Sequence, residues 1–305
     1  MKKFMMAATL LIMAITANAQ VEFKGDYKQG QSATYDVTIV NEMANPQTGM
    51  PINLTVNYTN KYVINEAAGD GYVIESTFTK ADIQGEEDMT NDVKYAIYSM
   101  LQGQPVLVQT DTNGKFQSIK NWDTVKAVLA KANEAGIDKI IAAHPEITQQ
   151  MTKEQLLQMT DAQITEALVM EAVDCGAFDL NGKTIKSGDE VTTVEDGITM
   201  KSNYTVTPML GTTIVVEKST ANMTEEETKA FVFEKLKESG APEEQIQMME
   251  ANWGQLVAMG VANVDFNETN TFRMKNGWAQ SIDSVSTQSL LGMNIKITRN
   301  AKLVE

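Results

Sequence analysis

One cysteine and one histidine in 305 residues remove whole classes of chemistry. With Cys175 alone no internal disulfide can form, so stability must come from a packed core. Zinc sites draw on several His or Cys ligands, and a single one of each gives no ligand spacing. A Ser-His-Asp triad would have to use His144. That residue stands in Ala142-Ala143-His144-Pro145, at an expected helix end where a cationic ring suits the dipole. Gly-x-Gly-x-x-Gly, Gly-x-Ser-x-Gly and P-loop patterns are missing, and no Asp-x-Asp-x-Asp-Gly loop marks a calcium site. No cofactor is implied. Bases are also scarce: 25 Lys and Arg stand against 40 Asp and Glu, a formal net charge of −15. That excess argues against nucleic acid and anionic lipid headgroups as partners. So many acids leave a two-carboxylate hydrolase open but select no pair.

Long hydrophobic runs are confined to the start of the chain. Lys2 and Lys3 precede an apolar stretch, Met5 to Ile15, and Ala17-Asn18-Ala19 gives a small-x-small cleavage pattern. Residues 1–19 therefore read as a bacterial signal peptide cut after Ala19. The expected destination is the periplasm, the cell surface or the medium. No later stretch reaches about eighteen consecutive apolar residues, so no integral membrane segment is expected.

What is present is alternation. Tyr35, Val37 and Ile39, then Ile52, Leu54, Val56 and Tyr58, then Tyr72, Ile74, Ser76 and Phe78 fall on one face of successive strands. A helix is expected over 88–102, and a hairpin from Pro105 through Asn113-Gly114 to Ile119. Helical spacing follows: one helix from Trp122 to a stop at Gly136, another over 138–144, and capping boxes at Thr152/Gln155 and Thr160/Gln163. Strands resume over 191–194, 200–206 and 212–218. Thr224 with Glu227 caps a helix to Gly240, and Pro242 opens another through Ile246, Met249, Trp253 and Leu256. The chain closes with strands 264–275 and 278–285, joined by Asn276-Gly277, and a last strand through Met293, Ile295 and Ile297.

The two Asn-Gly signals sit in similar heptads, Asn113-Gly-Lys-Phe-Gln-Ser-Ile119 and Asn276-Gly-Trp-Ala-Gln-Ser-Ile282. Lys28-Gln29-Gly30 aligns with Lys186-Ser187-Gly188, Asn60-Lys61-Tyr62 with Ser202-Asn203-Tyr204, and Gly71 to Ile74 with Gly211 to Ile214. The shared element order makes an internal duplication the expected organisation. The expected fold class is α+β, with two curved antiparallel sheets packed on helices, half-barrel-like. Residues 20–120 form the first sheet-helix repeat, 121–180 a helical insert and 181–305 the second repeat.

This order, with Phe178-Asp179-Leu180 leading to Lys183-Thr184-Ile185-Lys186-Ser187-Gly188-Asp189, resembles a class of uncharacterised exported proteins of Bacteroidota. In these, two curved sheets wrapped on helices follow a signal peptide. Their linker commonly has Pro before the strand and Trp after Gly-Asp. Here Asn181-Gly182 and Glu190-Val191 stand near those places. The shape is similar to the half-barrels of periplasmic lipoprotein carriers, so the resemblance implies acyl chains held between sheet and helices.

Methionine is abundant in the helical segments, including Met259, and thioether side chains adapt to variable apolar ligands. Met159, Met170, Met249, Trp253 and Leu256 are the candidate ligand-facing residues. Asp123-Thr124-Val125 and Asp283-Ser284-Val285 match the short O-glycosylation sequon of Bacteroidota, which makes Thr124 and Ser284 candidate acceptors. The expected function is a non-enzymatic exported binding protein for an apolar or amphipathic small molecule. An envelope scaffold that binds another protein is the alternative.

Overall fold

Period-two alternation produces long antiparallel strands in the computed structural model, which describes residues 20–44, 51–149, 151–195, 198–238, 242–258, 264–290 and 293–305. The expected signal peptide, Gly240 and Met259 lie outside these residues. Strands β1 (Gln20–Glu22), β2 (Ser32–Ala44), β3 (Pro51–Ala68) and β4 (Gly71–Gln84) come first. Helices α1 (Glu87–Thr90) and α2 (Val93–Met100) follow, then β5 (Pro105–Thr110) and β6 (Phe116–Ile119). Helices α3 (Trp122–Ala143), α4 (Lys153–Asp161) and α5 (Glu166–Val173) lead to β7 (Thr184–Lys186). The second half holds β8 (Glu190–Glu195), β9 (Ile198–Met209) and β10 (Thr212–Asn222), then α6 (Glu225–Glu238), α7 (Glu243–Ala251) and α8 (Trp253–Ala258). Strands β11 (Val264–Lys275), β12 (Trp278–Leu290) and β13 (Met293–Leu303) end the chain.

The described residues form two sheets, neither closed into a barrel, but they are not one per half. Eleven strands form one sheet in the order β6-β5-β4-β3-β2-β13-β12-β11-β10-β9-β8, and β1 with β7 forms a small second sheet. The expectation of two comparable sheets is corrected by one pairing. β13 lies antiparallel to β2, from Ile295 opposite Met43 to Leu303 opposite Tyr35, and fuses the halves.

The large sheet is curved. β5 and β12 are five strand spacings apart in the order, which is about 24 Å in a flat sheet. Yet one short segment touches both hairpin ends. Gly25 N–H donates to Asn113 O at 2.6 Å, and Tyr27 Oη donates to Gly277 O at 3.4 Å. The Tyr27 ring packs on Tyr72 of β4 at 5.2 Å and on Trp278 of β12 at 4.7 Å. Phe178 joins the same group through Phe116 of β6 at 4.5 Å and Tyr62 of β3 at 5.1 Å. This aromatic cluster closes one end of the concave face.

The two Asn-Gly turns therefore sit side by side around Tyr27, but their chemistry differs. Asn276 and Gly277 both have positive φ, 52° and 79°, and form a two-residue hairpin turn. In the other turn only Gly114 is left-handed, and Asp111 Oδ1 accepts from the Asn113 and Lys115 amides. Turns opening β2 and β8 match closely. Gly30 N–H donates to Ile64 O while Ile64 N–H donates to Gln31 O; Gly188 N–H donates to Tyr204 O while Tyr204 N–H donates to Asp189 O. The fourth residue caps each turn, Gln31 Oε1 taking the Lys28 amide and Asp189 Oδ2 the Lys186 amide.

The helices fill only one wing of the concave face. Val93, Ile97 and Leu101 around α2, Val125 and Leu129 of α3, and Val169 and Val173 of α5 bury against Leu54, Val56, Tyr58, Tyr62, Ile64, Ile74 and Phe78. Each large apolar side chain so buried contributes about 1.5–3 kcal/mol. Helices α6–α8 pack chiefly on one another, around Val232, Phe233, Ile246 and Trp253, as a separate small core.

Several helix boundaries differ from expectation. α3 runs unbroken through Gly136 to His144, because Ile137 continues its buried stripe; Pro145 stops it. The capping box at Thr152/Gln155 is present. Thr160 instead lies inside α4, bonded to the Leu156 carbonyl, and Thr165 caps α5. The expected helix over 88–102 is broken into α1 and α2, with Asp92 capping the second part through the Lys94 amide. The helix expected after Pro242 is interrupted at Asn252, which ends α7.

Candidate ligand-binding site on the concave face

Inward-facing residues of the second wing begin and end apolar but turn polar in mid-strand. β9 presents Met200, Ser202, Tyr204 and Val206, and β10 presents Val215, Glu217, Ser219 and Ala221, all buried. The register stacks the polar positions into two rows. One row runs Tyr204–Glu217–Asn270–Ser284–Arg299 across β9 to β13. The next runs Ser202–Ser219–Glu268–Ser286, continues through Ile297 and reaches Asn41 of β2. Neighbours within a row stand about 5 Å apart, so this is a continuous polar floor.

Two cavities lie over that floor and share Glu268 and Arg299. One, of about 310 Å³, is walled by Ile39, Tyr58, Tyr98, Leu168, Phe266 and Ile297, with Asn41, Ser284 and Ser286 beneath. The other, of about 550 Å³, is lined by Ser202, Tyr204, Glu217, Ser219, Asn270 and Asp179, with Lys183 and Asp189 at its side.

Most polar groups in the floor hold one another. Tyr204 Oη donates to Glu217 Oε1 in a short hydrogen bond, and the Ser202 and Ser219 hydroxyls share one at 2.7 Å. Ser284 Oγ donates to Glu268 Oε1 at 3.4 Å. Arg299 Nη2 lies 3.7 Å from Asp179 Oδ2. Gly176 makes room for that pair, since a Cβ there would come within 3.3 Å of Arg299 Nη2. Among the described residues four buried side-chain atoms have no protein partner; one, Trp253 Nε1, lies in the small helical core, and the other three, Asn270 Oδ1, Ser286 Oγ and Asn41 Oδ1, belong to the floor. These three floor residues line the cavities.

Electrostatics follow from this crowding of acids. Burial, then the neighbouring Asp179, pushes the Asp174 carboxyl up to about 7, with Arg299 and the Gly176 amide opposing. Burial also raises Glu268, against the pull of Arg299. Burial and the hydrogen bond to Glu217 raise the Tyr204 phenol. Beyond the floor, burial pushes the Cys175 thiol up to about 12, and Tyr62 Oη lies 3.4 Å from its sulfur.

The candidate residues read from the helices do not converge here. Trp253 is buried in the small core, with Met249 and Leu256 packed against it. Met170 packs against the main core, and Met159 is exposed at the surface of α4. None of the five lines either concave cavity. Thr124 is exposed in the first turn of α3, whereas Ser284 is buried in the cavity floor, so only Thr124 offers its hydroxyl to solvent. His144 ends α3, with Nδ1 3.4 Å from Glu146 Oε1. Sequence reasoning missed Glu217, Glu268, Asn270 and Arg299. Their signal was the polar interruption of the inward phase in adjacent strands.

Among the described residues no helix is long and apolar enough to cross a membrane. No family model and no curated protein matches the sequence. Among solved structures, the fold is similar to that of lipovitellin, described in a study of its lipid–protein interactions: TM-score 0.50 and 10% identity over 92% of this chain. This chain spans about a quarter, 26%, of the lipovitellin chain. An outer-membrane channel from Pseudomonas putida F1 aligns over 92% of the chain at 6% identity, with a TM-score of 0.16.

Proposed function

We propose that this protein binds an apolar or amphipathic small molecule on the concave face of its sheet, without catalysis. The carrying observation is the difference between the wings. Helices fill one wing with a packed core, while two adjoining cavities, one of them walled by Tyr58, Tyr98 and Leu168 at the edge of that core, lie over a floor that includes unpartnered polar atoms. Apolar walls beside a few placed polar groups are what small-molecule sites have in common. The likeness to lipovitellin, whose structure concerns lipid–protein interactions, supports the same reading by analogy of fold.

In this reading the open, curved sheet is a half-barrel built by duplication, as in the exported Bacteroidota class that the sequence resembles. The matched turns at Gly30 and Gly188 support a tandem repeat, though they pair Tyr204 with Ile64, two residues beyond the Tyr62 of the sequence alignment. Cleavage after Ala19 would release the chain to the periplasm or cell surface, where amphipaths are abundant. A hydrolase is disfavoured because each floor acid is already engaged: Glu217 by Tyr204, Glu268 by Ser284, Asp179 by Arg299, and Asp174 by the Gly176 amide. The scaffold alternative draws on exposed apolar residues at one edge and turn, Val191 and Val194 of β8 with Met209 and Leu210.

Native mass spectrometry of gently purified protein tests the proposal. A non-covalent adduct lost in organic solvent is expected. A bare polypeptide mass, together with no displacement of an apolar fluorescent probe by alkyl amphiphiles, would sink it.

A further inference from the structure

The two edges of the large sheet are finished differently. At one edge β6 is a four-residue strand, its pairing with β5 is irregular at Gln109/Thr110, and α5 packs alongside it. Its outward Ile119 amide is taken as well, donating to Glu166 Oε1 at 2.6 Å. Short length, a bulge and a covering helix are how a sheet edge is closed to further strands. The opposite edge, β8, has none of these devices. Its register with β9 is unbroken over Glu190–Glu195, and it contains no Lys or Pro. Residues 190 to 194 are all exposed, Val191 at 43% and Val194 at 69% among them. Among the described residues no strand pairs with its outer side.

The turn before β8 decides which of its backbone groups face outward. Gly188, with φ 88°, donates its N–H to Tyr204 O, and Tyr204 N–H donates to Asp189 O. This is a glycine bulge that makes Asp189 and Tyr204 a hydrogen-bonded pair. Alternation along the antiparallel ladder then turns the N–H and C=O groups of Val191 and Thr193 toward β9. Those of Glu190, Thr192 and Val194 point away from the sheet, with nothing to pair them but water.

We propose that a second copy of this chain occupies this edge, with β8 antiparallel to the partner's β8 about a two-fold axis at Thr192. A two-fold axis normal to the sheet sets residues of the same face opposite each other, so it passes through a residue rather than between two. Centred on Thr192, all three outward residues pair: Thr192 with its own copy, and Glu190 and Val194 with the partner's Val194 and Glu190. Roughly six main-chain hydrogen bonds result. On the concave face Val191 meets the partner's Thr193. Thr–Thr and Val–Thr neighbours suit a ladder, and within residues 190–194 no acid stands opposite an acid. This self-match is what selects a second copy over an unrelated strand. The pairing also keeps both concave faces on one side. Val191 and Thr193 line the larger cavity at its outer limit, so the partner's edge extends that wall and the two cavities adjoin across the axis. The contact does not depend on a ligand in either cavity. One short strand pair falls below the about 1,200 Å² of a standard interface, and each copy carries a formal charge of −15, so the dimer is weak and strengthened by salt.

Sedimentation equilibrium of the purified chain over a concentration series, at low and high salt, tests this. A monomer–dimer equilibrium that tightens with salt is expected. Amide hydrogen exchange at high protein concentration should slow at Glu190, Thr192 and Val194 and stay unchanged at Val191 and Thr193, a comparison that needs no variant to fold. Thr192→Pro removes an outward N–H and leaves the β9 ladder intact, because an edge strand accepts proline on its free side. Val194→Lys places a charge on the edge. Each should weaken association at least about tenfold. A monomer at every concentration and salt would overturn the proposal. So would a dimer that both variants leave intact, or one that protects amides elsewhere and not those of β8.

Discussion

Replacing Arg299 by Met keeps most of the side-chain volume and removes the one cation at the junction of the two cavities. The Arg299–Asp179 contact is 3.7 Å, and the two side chains are 25% and 37% exposed. At an effective dielectric of about 20 that separation gives a gross attraction of about 4–5 kcal/mol. Solvent in the cavity and the desolvation of Arg299 itself offset part of this, leaving about 2–3 kcal/mol. The loss should depend on pH, with a definite sign. Asp174 and Glu268 are already raised by burial against the pull of Arg299, so without it both carboxyls titrate higher still in the folded state. A raised folded-state value costs stability as pH rises above the unfolded value, and protonation relieves the cost at low pH. Unfolding midpoints of wild type and Arg299→Met should therefore differ by roughly 5 °C at pH 8 and much less at pH 5, at about 2 °C per kcal/mol for a chain of this size. A loss of equal size at both pH values would refute the electrostatic role and leave only packing.

Asp174→Asn should do the reverse. The wild-type carboxyl, pushed up to about 7, costs stability progressively as pH rises from about 4 to 7; Asn removes that cost, about 2 kcal/mol after allowance for its contact with the cavity. A variant whose pH–stability curve parallels wild type would contradict the burial argument. Gly277→Ala should cost about 1 kcal/mol for its left-handed backbone, since its nearest neighbour is 3.5 Å from an added Cβ. Gly114→Ala should cost about 2–3 kcal/mol, because that Cβ also meets the Tyr27 ring and the Asn181 amide at 2.9 Å. Urea unfolding that ranks them the other way would show that the turns do not dock as described. Cys175, buried with its thiol pushed up to about 12, should resist a thiol reagent in the native protein and react once denatured; fast native labelling would place it at the surface.

Local rules carried much of this fold. The alternation of Ile52 to Tyr58 is β3, the box of Thr152 and Gln155 caps α4, and Asn276-Gly277 makes the hairpin its sequence calls for. The joint between halves was not legible, because β2 and β13 lie some 260 residues apart and neither carries a mark of its partner. Gly136 was misread because an isolated glycine costs only about 1 kcal/mol in a helix that Ile137 and its neighbours anchor. The site was hidden for a related reason. Glu217, Glu268 and Asn270 look like outward-facing strand residues one strand at a time. Only the register that aligns β9 to β13 shows them sharing one buried floor. The helical methionines do not mark the site, because Met suits ordinary cores as well as adaptable pockets.

The central claim is that a ligand lies on the concave face, where the packed wing meets the polar floor of β9 to β13. Anomalous diffraction from crystals grown with an alkyl amphiphile carrying a terminal bromine tests it directly. The account predicts a bromine peak among Tyr58, Tyr98 and Phe266. A peak among α6–α8, or on the outer face of the sheet, would contradict it.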